Sequence, residues 1–434
     1  MTALPQGAAA TAPIRPSALV EAMFRRELLP WATLGLALGL VEGATVAVLV
    51  KKTFATSVTP TAVNFAVALV SGAPALANIV SFIWANIAHG RARVALLSRL
   101  QALFALLVGA IALAPAGNGG LVLTILLVIL TRMVWAGVLT VRAVVWSANY
   151  PRHLMARITG RIVLLNSIGV CLVALLAGWL LDRGAHQARL LYVLAAAVGL
   201  FGAWRYRQVR VRREYQLLAA EGAEGGSQPF SLSMLREILR EDSGFRAYMS
   251  CMALYGSGNL MISAQLVVLF TDRLGMAGAQ QILLLTVLPL AMMPIALPWW
   301  ARQFDGGHIV AYRSRQCWVL VASTLIFTTG VLLRQPWLLW PASLLYGVGM
   351  AGANLGWNLG HNDFASRGRS QHYMGVHVTL TGLRGLAAPP LGMLCYEILE
   401  HWRAGLGCVA MLLPLSMVTA GAIGFVRMRA RFGG

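Results

Sequence analysis

A chain of 434 residues with 58% hydrophobic and only 12% charged side chains falls far below the roughly one-quarter charged content of soluble proteins. Its mean hydropathy of +0.70 comes in apolar blocks suited to helices crossing a core ~30 Å thick at ~1.5 Å per residue. That excludes a water-soluble enzyme, and the lack of short alternating segments excludes an outer-membrane barrel. The formal charge of +20 lies in arginine clusters between the blocks, where it suits anionic lipid head groups and implies no nucleic-acid partner.

The first 28 residues are Ala/Pro-rich, carry Arg25-Arg26 near their end and show no cleavage site, so they read as a cytoplasmic tail. Twelve apolar spans are predicted, at about 29–50, 62–84, 94–115, 120–147, 162–181, 188–205, 246–270, 279–300, 311–333, 337–360, 374–396 and 406–427. The expected fold is an all-α integral membrane protein of two pseudo-symmetric six-helix bundles, 29–205 and 246–427, with a short tail at 428–434. Between them, 206–245 is polar and contains Glu221-Gly-Ala-Glu-Gly-Gly-Ser, a flexible linker composition. Leu232, Leu235 and Leu239 then share a helical face beside Arg236 and Arg240, which predicts an amphipathic helix lying on the inner membrane surface.

With the N-terminus inside, 25 of the 35 Lys and Arg fall in cytoplasmic segments, seven outside and three within spans. The positive-inside rule then places both termini in the cytoplasm. Trp31, Trp146, Trp299 and Trp337 near span ends read as interface anchors. The five cysteines stand singly inside apolar blocks and read as packing residues.

The halves repeat. Trp84, Ala85, Gly90, Val94, Ala95, Ser98 and Arg99 recur as Trp300, Ala301, Gly306, Val310, Ala311, Ser314 and Arg315, each 216 residues on. Glycine ladders run through spans one (Gly35, Gly39, Gly43) and ten (Gly352, Gly356, Gly360). Six spans per half give both repeats the same orientation, related by an axis along the membrane normal.

Two six-span halves, a basic linker and a Gly/Arg-rich loop after spans two and eight resemble the major facilitator superfamily. That family's loop reads roughly G-x-x-x-D-R-x-G-R-R. Here the first copy, Asn86-Ile-Ala-His-Gly90-Arg91-Ala-Arg93, keeps the Gly-Arg end without an aspartate. The second, Arg302-Gln-Phe-Asp305-Gly306-Gly307-His308, keeps the aspartate without the arginines. Arg132 and Gly137 are similar to the family's fourth-span Arg and Gly. The resemblance implies that spans one, four, seven and ten line a central cavity, that spans two, five, eight and eleven join the halves, and that the halves rock around a midplane site.

An ionisable side chain at mid-membrane costs at least ~2.5–3.5 kcal/mol, so each one inside a span is a candidate for function. Glu42 is ~18 Å from the inner end of span one, and Arg132 is about as deep from the outer end of span four. Their heights differ by about 6 Å, within reach of two long side chains, which makes them the expected proton-coupling pair. Arg384 in span eleven has no evident acidic partner and suggests an anionic substrate group, shared with Arg132; the alternative is bonding to carbonyls freed by Pro389-Pro390. Tyr255, Asn259, Gln265, Asn354 and Asn358 are further candidate substrate contacts, or glue between helices. A cytoplasmic gate is expected from Arg142, which can snorkel, from Asp363 meeting Arg152 or Arg157, and from Arg91, Arg93 and Asp305 in the repeated loops.

The sequence contains no P-loop, GxSxG, HExxH or metal-spaced His/Cys cluster. The expected function is therefore non-enzymatic and without cofactor or metal: a monomeric, proton-coupled secondary transporter of a small organic solute in a bacterial inner membrane, with an anion preferred. The alternatives are a sensor or assembly factor on the same fold, and a lipid-moving variant with a lateral opening between the halves.

Overall fold

The computed structural model describes residues 17–223, 232–305, 307–366 and 369–432. Most of the predicted tail (1–16), the Gly/Ser stretch 224–231, Gly306 of the second repeat, Arg367 and the last two residues lie outside the described residues.

The described residues fold as helices. The first half comprises α1 (Ala18–Gly39), α2 (Gly43–Phe54), α3 (Pro60–Leu76), α4 (Ser81–Ala88), α5 (Arg93–Ala110), α6 (Asn118–Asn149), α7 (Arg152–Leu181) and α8 (Ala185–Tyr206). Two short helices follow, α9 (Glu214–Ala223) and α10 (Leu232–Glu241). The second half comprises α11 (Ser243–Asp272), α12 (Gly278–Ile282), α13 (Leu288–Phe304), α14 (Ile309–Leu332), α15 (Leu339–Leu359), α16 (Ser370–Trp402) and α17 (Leu412–Phe432). A 3₁₀ turn joins α3 to α4, and a π turn at Leu283–Val287 joins α12 to α13. Among the described residues nine helices are long and apolar enough to cross a membrane, and the bent pair α1/α2 makes a tenth. Helices α15 and α16, of 21 and 33 residues, are also long enough but less apolar, because they carry the Asn, His and Arg residues of the cavity described below. The arrangement is consistent with the twelve predicted spans.

The first span differs from its prediction. It starts earlier, at Ala18, where the Ser17 hydroxyl accepts from the Val20 N–H at 3.4 Å. It also breaks at Leu40–Glu42 with a bend of 41°. Glu42 is extended there and Gly43 takes φ +42°, a left-handed conformation that glycine adopts without a Cβ penalty.

Within the first half α1 packs on α7 and α8, and α5 on α6 and α8. In the second half α11 packs on α16 and α17, α13 on α15, and α14 on α15 and α17. The halves meet where α3 packs on α16 and α11, α2 on α11, and α7 on α12. The internal repeat is visible atom by atom. Trp84 Nε1 donates to the Met133 carbonyl and Trp300 Nε1 to the Val348 carbonyl, both at 2.8 Å. Gly137 and Gly352 lie under the two indoles, where a Cβ would fall 2.7 and 2.8 Å from ring carbons. Helix α10 buries Ile238 and packs Leu235 and Leu239 against α11 and α16. Its apolar face therefore rests on the bundle rather than on lipid.

Candidate functional site

The break in the first span exists at a charge. Glu42 Oε2 accepts from Arg132 Nη1 of α6 at 2.6 Å, with the carboxylate side chain 28% exposed and the guanidine side 9%. Only the first half carries this pair: the step of 215 residues that takes Gly137 to Gly352 takes Arg132 to Gly347.

A cavity of ≈ 330 Å³ lies where α3 meets α11, α15 and α16. It occupies the linker-side part of these helices and is lined by Tyr255, Asn259, Asn354, Trp357, Arg313 and Arg384, among others, with no Asp or Glu. Arg384 crosses from α16 onto Gly256 of α11, whose missing Cβ leaves room for the guanidinium. Its Nε donates to Leu380 O at 3.2 Å, Nη2 to Thr381 Oγ1 at 2.6 Å, and Nη1 to Met252 O. These are not the carbonyls of residues 385 and 386 that Pro389 and Pro390 leave without a helical donor. Arg384 thus holds three of its five N–H donors in bonds to neutral groups, and no carboxylate pairs with it among the described residues.

Arg313 is the second cation, and the sequence did not single it out. It stands one turn into α14 at a position that reads as a cytoplasmic loop charge, yet it is 1% exposed. Its Nη1 donates to Gln316 Oε1 at 2.8 Å and Nη2 to Ala353 O at 3.2 Å, over Gly356 of the predicted glycine ladder. His377, on α16, is fully buried against Trp357, and neither ring nitrogen has a hydrogen-bond partner.

Of the predicted substrate contacts, Tyr255, Asn259, Asn354 and Arg384 line this cavity. Gln265 does not: fully buried, it donates to the Gly392 carbonyl at 2.7 Å and ties α11 to α16. Asn358 is exposed and donates to Asn354 O at 2.8 Å. Arg132 is committed to Glu42 and is not a lining residue.

The expected cytoplasmic gate is not assembled as a unit. Asp363 Oδ2 accepts from the Ile309 N–H at 2.6 Å, capping the start of α14 instead of meeting Arg152 or Arg157. Asp305 ends α13 exposed, and Arg91 is exposed as well. Arg93 is buried and pairs with Glu221 of α9. Arg142 does not snorkel: its guanidinium lies 5.0 and 4.2 Å from the ring centroids of Trp31 and Trp146. Those two tryptophans are not interface anchors, since they enclose Glu27, a fully buried acid that the sequence analysis assigned to the tail. Glu27 accepts from Trp31 Nε1 at 3.1 Å, Trp146 Nε1 at 2.6 Å and Tyr150 Oη at 2.9 Å. Trp299 and Trp337 are exposed, as anchors are.

The halves are instead clasped at the end opposite the linker. Lys51 Nζ donates at 2.7 Å both to Asn64 Oδ1 and to Asp272 Oδ2 across the interface. Glu397 of α16 accepts from Asn64 Nδ2 at 2.7 Å and Thr61 Oγ1 at 2.8 Å. Beside them Asp182 accepts the N–H groups of Gly278 and Ala279 at 2.7 and 2.9 Å and faces Lys52 at 3.5 Å.

Residues 28–389 match the sequence family described as the Major Facilitator Superfamily. No curated protein matches the chain. Among solved structures, a mutant of the nucleoside transporter NupG is similar with a TM-score of 0.70 at 10% identity, covering 94% of this chain and 99% of that one. A D-xylose-proton symporter gives 0.67 at 12% identity, with 95% and 97% covered. The human organic anion transporter MFSD10 (TETRAN) gives 0.53 at 17% identity, with 93% and 100% covered. At these identities the likeness is one of fold.

Proposed function

The chain belongs to the Major Facilitator Superfamily, a secondary-transporter family, and from that premise we propose that it moves a small organic anion across the inner membrane, coupled to protons. One observation carries the anion: Arg384 and Arg313 line a cavity that holds no carboxylate. In the first half Arg132 faces Glu42, and Arg142 lies over the indoles that hold Glu27. The second half leaves its two guanidinium groups to a ligand. Desolvating a cation without a counter-charge is costly, and a bound carboxylate or phosphate offsets that cost bidentately.

Proton coupling is assigned to Glu42 and Arg132. A carboxylate held by a single guanidinium and still partly exposed can exchange that partner for a proton when the bundles shift. The arginine excess on linker-side segments supports an inner-membrane protein with cytoplasmic termini. The clasp then closes the outer end, and the cavity faces inward. One chain encloses the whole cavity, which supports a functional monomer.

The test is reconstitution into liposomes with a panel of radiolabelled organic anions under an imposed pH gradient. Wild type accumulates one of them, Arg384→Gln abolishes uptake, and Glu42→Gln keeps exchange while losing gradient-driven accumulation. Accumulation of a neutral or cationic solute, insensitive to Arg384→Gln, refutes the anion assignment.

A further inference from the structure

A second cavity, of ≈ 280 Å³, lies on the outer flank of the second half among α11, α16 and α17. Met249, Ala253, Ser257 and Met261 recur every four residues and form one wall, while Leu383 and Leu391 lie along the other. Those leucines are 50% and 55% exposed on a membrane-spanning helix, so the crevice opens toward lipid. From Met249 to Met261 it runs ~18 Å along the helix at ~1.5 Å per residue. Its lining is apolar apart from Ser257 and Arg384.

Arg384 is the single residue shared by this crevice and the central cavity. The two spaces use opposite faces of α11: Met252, Tyr255, Gly256 and Asn259 face the cavity, and the four-residue stripe faces the crevice. The seam between α11 and α16 separates them. At Gly256 that seam has no side chain of its own and is filled by the guanidinium of Arg384. An apolar slot open to lipid thus ends on a cation that has two free donors and no acid.

We propose that the transported anion is amphiphilic, with its charged head on Arg384 and its apolar chain in the crevice between α11 and α16. This rests on the anion reading above and narrows it to a class. The chain gains by leaving water for an apolar slot, and the head supplies the counter-charge that the buried arginine lacks. The window lies within the second half, not between the halves, so loading from the membrane leaves the outer clasp closed.

The experiment uses the full chain in nanodiscs with a photoreactive hexadecanoate carrying a diazirine in its chain, and hexadecanoate, butyrate or hexadecanol as competitors. Expected are adducts on peptides covering 249–261 and 380–391, removed by hexadecanoate and not by hexadecanol. They fall at least fivefold in Arg384→Gln and in two variants that fill the slot from opposite walls, Ala253→Phe and Ala387→Phe. A variant counts only if its melting temperature stays near wild type. Equal competition by hexadecanol overturns the proposal, because the slot then holds lipid chains regardless of charge. If butyrate competes as well as hexadecanoate and the filled variants still label, the crevice is not part of the site, while the anion reading stands. If no anion competes and Arg384→Gln labels as wild type, the anion reading itself falls.

Discussion

Two glycines decide where the buried guanidinium groups rest. A Cβ on Gly256 would lie 2.2 Å from Arg384 Nη1, and one on Gly356 would lie 2.9 Å from Arg313 Nε. At Gly256 the obstructing atom is the tip of a flexible side chain, and alanine favours a helix by ~1 kcal/mol over glycine. Gly256→Ala is therefore expected to leave the melting temperature within a few degrees of wild type. It should weaken anion binding at least tenfold, read by titration of the purified protein; unchanged affinity would show that the Arg384 position is incidental. Glu27 is the opposite case. Its carboxylate accepts three ring donors in a dry site, and bonds to a charged acceptor are worth ~1.5–3 kcal/mol each. Glu27→Gln leaves one acceptor oxygen and should lower the melting temperature by several degrees while sparing anion affinity. These residues also differ in how far the sequence gave them away. The Glu42–Arg132 pair could be placed because both charges stand in the middle of long apolar runs. Glu27 and Arg313 could not, since each sits within a turn or two of a helix end, where loop charges and buried charges look alike in one dimension.

At the scale of elements, the loop between α4 and α5 shows how a degenerate motif is completed in space. The first loop copy lacks an aspartate, and α9 supplies carboxylates in its place. Glu221 accepts the Gly90 N–H at 2.8 Å and pairs with buried Arg93, while Glu214 accepts the Arg93 N–H at 3.0 Å and so caps α5. Partial burial alone would push the Glu221 carboxyl up, but the Gly90 N–H and the Arg93 guanidinium outweigh it and hold it below its usual range. A depressed carboxyl stabilises the folded arrangement above its unfolded value, ~4.3, and that contribution is lost as pH falls through the lower folded value. Hydrogen exchange over 214–221 should therefore be slow at neutral pH in wild type and faster in Glu221→Gln. On acidification below ~4 the two should converge; a difference that persists would mean the charge is not what holds α9. Spacing could not have joined Glu221 to Arg93, because 128 residues separate them. The break of the first span was hidden for a related reason. Leu40–Glu42 lies inside an unbroken apolar run, and the only local sign was a glycine that also fitted the packing ladder Gly35–Gly39–Gly43.

For the whole molecule, the repeat at offset 216 was readable because both copies build the same indole-over-glycine contact, and that contact fixes residue types at fixed spacing. Which end is closed was not readable, since the clasp joins residues of opposite halves. Lys51 and Lys52 are the chain's only lysines, and both stand in that clasp, the first with a side chain 6% exposed. Opening the outer end must break the bonds of Lys51 to Asp272, of Glu397 to Asn64 and Thr61, and of Asp182 to the first turn of α12. Exposed ion pairs contribute little, but these groups are partly buried and share partners, so losing one acceptor leaves others unsatisfied in the closed state alone. The balance between two states separated by a few kcal/mol shifts accordingly. A membrane-impermeant amine reagent applied from the outer side of oriented vesicles reads this directly, with Lys51 and Lys52 resolved by fragmentation. Lys51 should label slowly in wild type and several-fold faster in Asp272→Asn and Glu397→Gln. If Lys51 labels at the same slow rate in both variants, the contacts at this end are by-products of closure, and the force that holds the halves together lies in the apolar contact of α3 with α16.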